Sequence, residues 1–125
     1  MTTNPTRRRP QQPRRGEVWW VDLNPTVGAE IDKLRTVVVI SSDSVGVLPI
    51  KLIAPITGWQ DKFASRLWFV KLQPTHVNGL TKVSAVDTLQ LRGVDIQRFK
   101  SKLGQLTAQD MEEITAAIAA VIEYS

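Results

Sequence analysis

One run of four consecutive β-branched residues, Val37, Val38, Val39 and Ile40, constrains the fold of this chain more than any other feature. β-Branched side chains are stiff at χ1 and favour an extended backbone, and a short apolar run without alternation is typical of a strand covered on both faces. We therefore expect a central β-strand here, with Arg35 entering it at the rim of the sheet. A cation held at that position could belong to a reaction site.

The segments around this run predict further strands at residues 17–23, 52–56, 67–72 and 80–91, separated by turn residues. Pro55 should lie at an edge or a strand end, because proline cannot donate to a strand ladder. About five strands without intervening crossover helices favour an antiparallel barrel.

The C-terminal part of the chain changes to a helical pattern. Asp95 predicts the cap of a short helix over residues 95–102, ended by Gly104. Thr107 followed by Asp110 approximates the capping box of a last helix, whose apolar residues recur at helical spacing.

Charge is distributed unevenly along the 125 residues, whose formal net charge is +4. Five arginines precede Gly16, where there is no acidic residue, and beyond it eleven basic residues face twelve acidic ones. The first stretch has almost no large apolar residue and cannot bury enough surface to offset its ordering entropy. We predict a disordered basic arm over residues 1–14 and a single, nearly neutral domain over residues 15–125.

Residue types that are absent or rare exclude several chemistries. The chain has no cysteine, and neither an apolar run of membrane length nor a signal-peptide core is present, so we expect a soluble, cytoplasmic protein. His76 is the only histidine, which argues against a metal site and against a two-histidine ribonuclease mechanism within one chain. No serine lies in the elbow motif of a serine hydrolase, and no glycine-rich phosphate loop is present. We expect no metal and no cofactor.

Three features remain as candidates for chemistry: Arg35 at a strand entrance, Thr57 at a strand exit, and a loop over residues 59–66 that mixes aromatic and cationic residues. Arginine has a planar fork suited to phosphate, and aromatic residues beside cations suit single-stranded nucleic acid. Each also has an ordinary structural explanation, as a surface ion pair with Glu30 or Asp32, a turn residue, or loop packing.

Six blocks of sequence carry a family resemblance that covers essentially residues 15–123. The blocks are residues 15–30, 35–43, 54–57, 78–84, 90–92 and 103–106. In their order and spacing they resemble the MazF/PemK family of toxin endoribonucleases. Several ordered blocks are a far more specific signal than any one of them.

The resemblance implies a mainly β fold of the α+β class, a small SH3-like antiparallel β-barrel with a C-terminal helix. It also implies a homodimer that cleaves single-stranded RNA without a metal, leaving 2′,3′-cyclic phosphate and 5′-hydroxyl ends, and a cognate antitoxin that blocks the RNA groove. Two alternatives stay open: a CcdB-like toxin that binds DNA gyrase without catalysis, and an inactive RNA-binding module. The presence of both Arg35 and Thr57 favours the nuclease.

Carried over position by position, the resemblance places Arg35 on the family's catalytic arginine and Thr57 on its catalytic threonine. Glu30, Ser84 and Gln90 match positions near the RNA groove. The predicted RNA-binding set is completed by Lys33, at the end of the polar loop over residues 24–33 that leads into the central strand, and by Trp59, Lys62 and Arg66 of the 59–66 loop.

The chain departs from the family pattern at two positions. Thr36 stands where proline usually follows the arginine, and Leu89 stands where an acidic residue often precedes the glutamine. Threonine suits a strand, so we expect the first change to be tolerated. The second leaves the preferred RNA bases undefined.

Overall fold

The computed structural model describes residues 12–24, 28, 33–45 and 49–124. Their order along the chain is seven strands, three short 3-10 helices and one α-helix: β1 (Glu17–Asp22), β2 (Leu34–Val39), β3 (Ile50–Gly58), a 3-10 helix (Asp61–Ser65), β4 (Phe69–Leu72), β5 (Ser84–Asp87), a 3-10 helix (Thr88–Gln90), β6 (Arg92–Asp95), a 3-10 helix (Ile96–Arg98), β7 (Phe99–Gln105) and α1 (Ala108–Val121). None of the described helices is long and apolar enough to cross a membrane.

The seven strands form one antiparallel sheet in the order β4-β5-β3-β2-β1-β7, with β6 also paired to β3. The described strands make an open path of ladders and not a closed ring, so the sheet is not closed as in the expected barrel. A mainly β fold with one C-terminal helix confirms the predicted α+β class. The predicted number of about five strands is wrong by two.

The strand at Leu34–Val39 is central and covered on both faces, as its apolar run predicts. It lies between β1 and β3. On one face Val38 joins the core cluster that packs against α1, whereas Val37 and Val39 join a second cluster with Trp19 of β1. All three valines are fully buried, because the sheet separates two apolar cores.

Pro55 lies inside the nine-residue strand β3, not at a strand end, but one side of the strand has edge character at this residue. The reason is a change of partner along one edge of β3. There β6 pairs with residues 50–53 and β5 pairs with residues 56–58, which leaves residue 55 without a ladder partner on that side. A missing donor is tolerated at such an edge-like position within a long strand.

The segment predicted as a helix over residues 95–102 is mostly strand. Asp95 does cap a short 3-10 helix, since its side chain accepts a hydrogen bond from the Gln97 amide. From Phe99 onward, however, the chain pairs along β1 as β7. The tertiary pairing overrides the local helical signal.

Residues 80–91, predicted as one strand, divide into β5 and a 3-10 helix.

The last helix is confirmed together with its capping box. In it, the Thr107 side chain accepts a hydrogen bond from the Asp110 amide, and the Asp110 side chain accepts one from the Thr107 amide. Met111 and Ile114 are buried on its inner face.

Glu17 is a buried charge that joins the start of β1 to β7. Its carboxylate accepts hydrogen bonds from the Arg14 amide (2.8 Å) and the Trp19 indole nitrogen (3.0 Å), and it pairs with the Lys102 ammonium at 2.9 Å. Burial acts to raise the pKa of Glu17, but the hydrogen bonds and the Lys102 charge outweigh it, and the net pKa is lowered.

Most of the predicted basic arm, residues 1–11, lies outside the described residues, and the arm stays a prediction. Next to it, Pro13 is fully buried. The Arg14 side chain pairs with Asp43 at 3.4 Å.

Candidate functional site: a cationic cleft at one end of the sheet

Arg35 and Thr57 are placed together by the register of β2 and β3. Val37 pairs with Pro55 in this antiparallel ladder, so extending the register by two residues sets Arg35 opposite Thr57. The Thr36 hydroxyl, which donates to the Ile56 carbonyl at 3.3 Å, supports the same alignment. Arg35 and Thr57 thus lie at the same end of this ladder, two positions beyond its last pair. The two side chains predicted to be catalytic therefore share one site.

Both residues line a cleft of about 300 Å³. Its walls come from the start of β2, the end of β3 and the segment over residues 79–84, with Trp20 and Leu103 contributed by the neighbouring strands. Trp20 is 36% exposed although it lies on a central strand, because its side chain faces this cleft and not a core.

The cleft is cationic. Arg35 and Lys82 line it, and none of the described residues that form its walls is acidic. A guanidinium and an ammonium in one concave surface favour an anionic ligand, and arginine can donate two hydrogen bonds to one phosphate.

Ser84, a predicted RNA-binding residue, also lines the cleft but is 4% exposed. Its hydroxyl donates to the Lys82 carbonyl at 2.9 Å, and its backbone pairs with Gly58. This contact fixes the backbone that carries Lys82 beside the end of β3.

The predicted residues of the 59–66 segment lie outside the lining of this cleft. Trp59 packs edge-to-face on Phe63 with ring centroids 5.8 Å apart, and the Lys71 ammonium lies 4.9 Å from the centre of its ring. Lys62 and Arg66 are exposed, in and just after the 3-10 helix. Trp59 therefore has a packing role in this structure, whereas the two cations are available to solvent.

The remaining predicted RNA-binding residues are not gathered in the cleft either. The Gln90 side chain donates to the buried Asp87 carboxylate at 2.9 Å. Lys33 is exposed in a left-handed backbone conformation (φ 66°), held by a hydrogen bond from its amide to the Asn24 side chain. Glu30 lies outside the described residues.

Sequence reasoning missed Trp20 and Lys82 as lining residues. Trp20 looks like any other aromatic strand residue in the sequence, and only its pairing with Thr36, the residue after Arg35, brings it to the cleft. Lys82 carried no local signal, because a loop and a cross-strand contact bring it to Thr57.

A larger depression of about 800 Å³ lies between α1 and residues 15–16. Its walls are mainly apolar, and Arg15, the one cation among the described residues that line it, donates to the Ile40 carbonyl and the Thr115 hydroxyl. This depression therefore has fewer available hydrogen-bond donors and cations for a phosphate than the smaller cleft has. Within the described part of the chain, no three His, Cys, Asp or Glu side chains are close enough to hold a metal ion.

The chain is similar in sequence to known proteins. The sequence model of the family described as PemK-like, MazF-like toxin of type II toxin–antitoxin system matches residues 14–122. The chain belongs to this family. A relative within it, the endoribonuclease MazF of Staphylococcus saprophyticus, is 36% identical in an alignment 112 residues long that covers 84% of this chain and 87% of that protein.

Solved structures of the family share the fold. MazF from Deinococcus radiodurans superimposes with a TM-score of 0.75 at 23% identity, covering 90% of this chain and 98% of that one. An endoribonuclease in complex with its cognate antitoxin, from a mycobacterial species, gives a TM-score of 0.72 at 18% identity, covering 90% and 97% of the two chains.

Proposed function

We propose that this chain is the toxin of a type II toxin–antitoxin system and cleaves single-stranded RNA in the cationic cleft. The observation that supports this most strongly is that Arg35 and Thr57 line the same cleft, whose described walls hold no carboxylate. Membership of the PemK/MazF family gives the class of activity, a toxin endoribonuclease.

The proposed reaction is a transesterification within the RNA strand. The 2′-oxygen attacks the adjacent phosphorus and loses its proton, the bond from phosphorus to the 5′-oxygen breaks, and that oxygen takes up a proton. The products are a 2′,3′-cyclic phosphate and a 5′-hydroxyl. Charge accumulates on the non-bridging oxygens, and Arg35 and Thr57 stabilise it with preorganised donors. A guanidinium stays protonated in proteins, so the proton acceptor is another group, Glu30 or water.

The exposed aromatic surface of Trp20 gives the cleft a place for a base next to the reacting phosphate. Stacking on an aromatic face is worth about 1–3 kcal/mol per base and tolerates different sequences. The exposed Lys62 and Arg66 are suited to flanking phosphates, where they would add affinity without reading bases.

We also propose a cognate antitoxin and a homodimer as partners. The mycobacterial relative is in complex with its cognate antitoxin, and a MazE–MazF complex from D. radiodurans has the same fold at a TM-score of 0.70 and 21% identity. An antitoxin segment that inhibits this chain would cover the cleft and offer carboxylates to its cations.

Incubation of the purified protein with a long RNA, with and without EDTA, tests the proposal. We expect cleavage that EDTA does not reduce. Arg35→Ala and Thr57→Ala should each lower the rate by about 10²–10³, or roughly 3–4 kcal/mol, because each removes a preorganised donor. Arg35→Lys keeps the charge but loses the planar fork and should fall between the wild type and Arg35→Ala.

The outcome separates the alternatives. An RNA-binding module would retain the RNA without cutting it, and a gyrase-binding toxin would leave it intact in every variant. Full activity in both alanine variants, with circular dichroism unchanged, would move the reaction away from this cleft.

A further inference from the structure

The side chain of Lys82 extends across the backbone of Gly58, the residue that follows Thr57. A methyl group placed on Gly58 would lie 3.1 Å from the Lys82 amine nitrogen and 3.2 Å from the neighbouring carbon. The ammonium therefore lies within a few ångströms of the strand end that carries Thr57. Glycine at position 58 leaves the space that the lysine occupies.

The Lys82 ammonium has no carboxylate partner among the described residues. Their ion pairs are Arg14 with Asp43 and Lys102 with Glu17, and the described lining of the cleft contains no acidic side chain. Lys82 is exposed to solvent within a concave surface. A cation in this position can bind an external anion without first breaking a described ion pair.

The backbone that carries Lys82 is held firmly on both sides. On the C-terminal side the Ser84 hydroxyl donates to the Lys82 carbonyl at 2.9 Å, and the Trp59 amide donates to the Val83 carbonyl at 3.0 Å. On the N-terminal side the buried Asn78 side chain accepts from the amides of Thr75 and Leu80, both at 3.0 Å. The long lysine side chain thus starts from a fixed point.

From this geometry we infer that Lys82 is a third phosphate-binding residue of the reaction, contacting the scissile phosphate together with Arg35 and Thr57. The inference rests on the proposed RNA cleavage and adds to it a group that acts by charge alone, with no proton transfer. Its ammonium offsets the charge that grows on the non-bridging oxygens as the 2′-oxygen attacks.

Substitutions at Lys82 test this role through both rate and binding. Lys82→Ala should lower the cleavage rate at least about tenfold. The loss should be smaller than the loss on removing an enclosed donor, because Lys82 is exposed. With an uncleavable RNA carrying a 2′-deoxy sugar at the cut site, its plot of log affinity against log salt should be shallower by about 0.7, the value for one phosphate contact on a single strand. Lys82→Arg should recover most of both effects.

Lys51→Ala is the matched control. Lys51 lies on the same strand as Thr57, six residues earlier, which is roughly 20 Å along an extended chain. We expect the Lys51→Ala protein to match the wild type in its cleavage rate and in the slope of log RNA affinity against log salt.

Gly58→Ala provides a second, independent test. Its methyl group would displace the end of the Lys82 side chain while leaving the lysine in place. We expect a loss of rate in the wild-type background and almost no further loss in the Lys82→Ala background, because the two changes affect one contact.

The possible results are distinguishable. A wild-type protein that leaves RNA intact overturns the proposed function and this inference with it. If the wild type cuts RNA while Lys82→Ala keeps its rate and salt slope, only the inference fails. Equal losses in Lys82→Ala and Lys82→Arg with an unchanged slope would show a purely structural role and also overturn it.

Discussion

Gly104→Ala should lower the rate of RNA cleavage, although Gly104 does not line the cleft. A Cβ atom at position 104 would lie 2.3 Å from the Val77 carbonyl oxygen and 2.4 Å from the Asn78 carbonyl carbon. Both are backbone atoms, so no side-chain rotation can relieve the clash. The segment containing Asn78 must move away from β7 by close to 1 Å, and the hydrogen bond from the Gln105 amide to Val77 (2.8 Å) lengthens or breaks.

The consequence reaches the site because the same segment continues into Thr81 and Lys82, which line the cleft. Overpacking of this kind typically costs about 1–3 kcal/mol of stability. A misplacement of about 1 Å in groups that position a substrate can cost about 10² in rate. We therefore expect a folded but less stable protein with a cleavage rate lowered by about two orders of magnitude.

Cleavage of an RNA oligonucleotide under single-turnover conditions, together with urea unfolding at one fixed protein concentration, measures both effects. Gly93→Ala is the matched control, because the nearest atom to its methyl group is the end of the Ile50 side chain at 3.2 Å, and that side chain is 47% exposed and can move. A Gly104→Ala protein that cuts RNA at the wild-type rate would refute the argument that β7 positions the cleft.

Two further predictions concern charge. Because the folded pKa of Glu17 is below its ordinary value of 4.5, its stabilisation is present above that pH and is lost as the pH falls through the lower folded value. Urea unfolding of Glu17→Gln and wild type should therefore show a difference that is constant near neutral pH and shrinks below about pH 4.5; a difference that grows on acidification would contradict this. Deletion of residues 1–11, which spares the buried Pro13, should weaken RNA binding and flatten its salt dependence without changing the cut sequence, and an identical slope would show that the arm does not contact RNA.

The parts of the fold that sequence predicts are those set by local chemistry. The β-branched run at Val37 and the capping box at Thr107 each specify their element within a few residues, and both are confirmed. The strand β7 was missed because its partner, β1, lies some eighty residues earlier, and pairing with it overrides a local helical signal. That Pro55 lies inside a strand also depends on distant partners, since β3 exchanges β6 for β5 at this residue.

In the candidate site, too, local sequence identifies single residues but does not show which of them lie close together. Arg35 and Thr57 were singled out as a strand entrance and a strand exit, and the family resemblance gave them roles. Their closeness depends on the β2–β3 register, which no local pattern specifies. The sequence could not predict that Lys82 lies near Arg35 and Thr57. Lys82 is carried by a loop that Asn78 and β7 hold at the other side of the cleft.

The central claim is that the cleft of Arg35 and Thr57 cuts RNA by attack of the 2′-hydroxyl. It is tested most directly with a pair of RNA oligonucleotides that are identical except for one 2′-deoxy sugar on the 5′ side of the cut. The wild type should cut only the all-ribose strand, in EDTA, and mass spectrometry should show a 2′,3′-cyclic phosphate and a 5′-hydroxyl. Cleavage of the deoxy-substituted strand at the same bond, or a 5′-phosphate on the product, would contradict the mechanism.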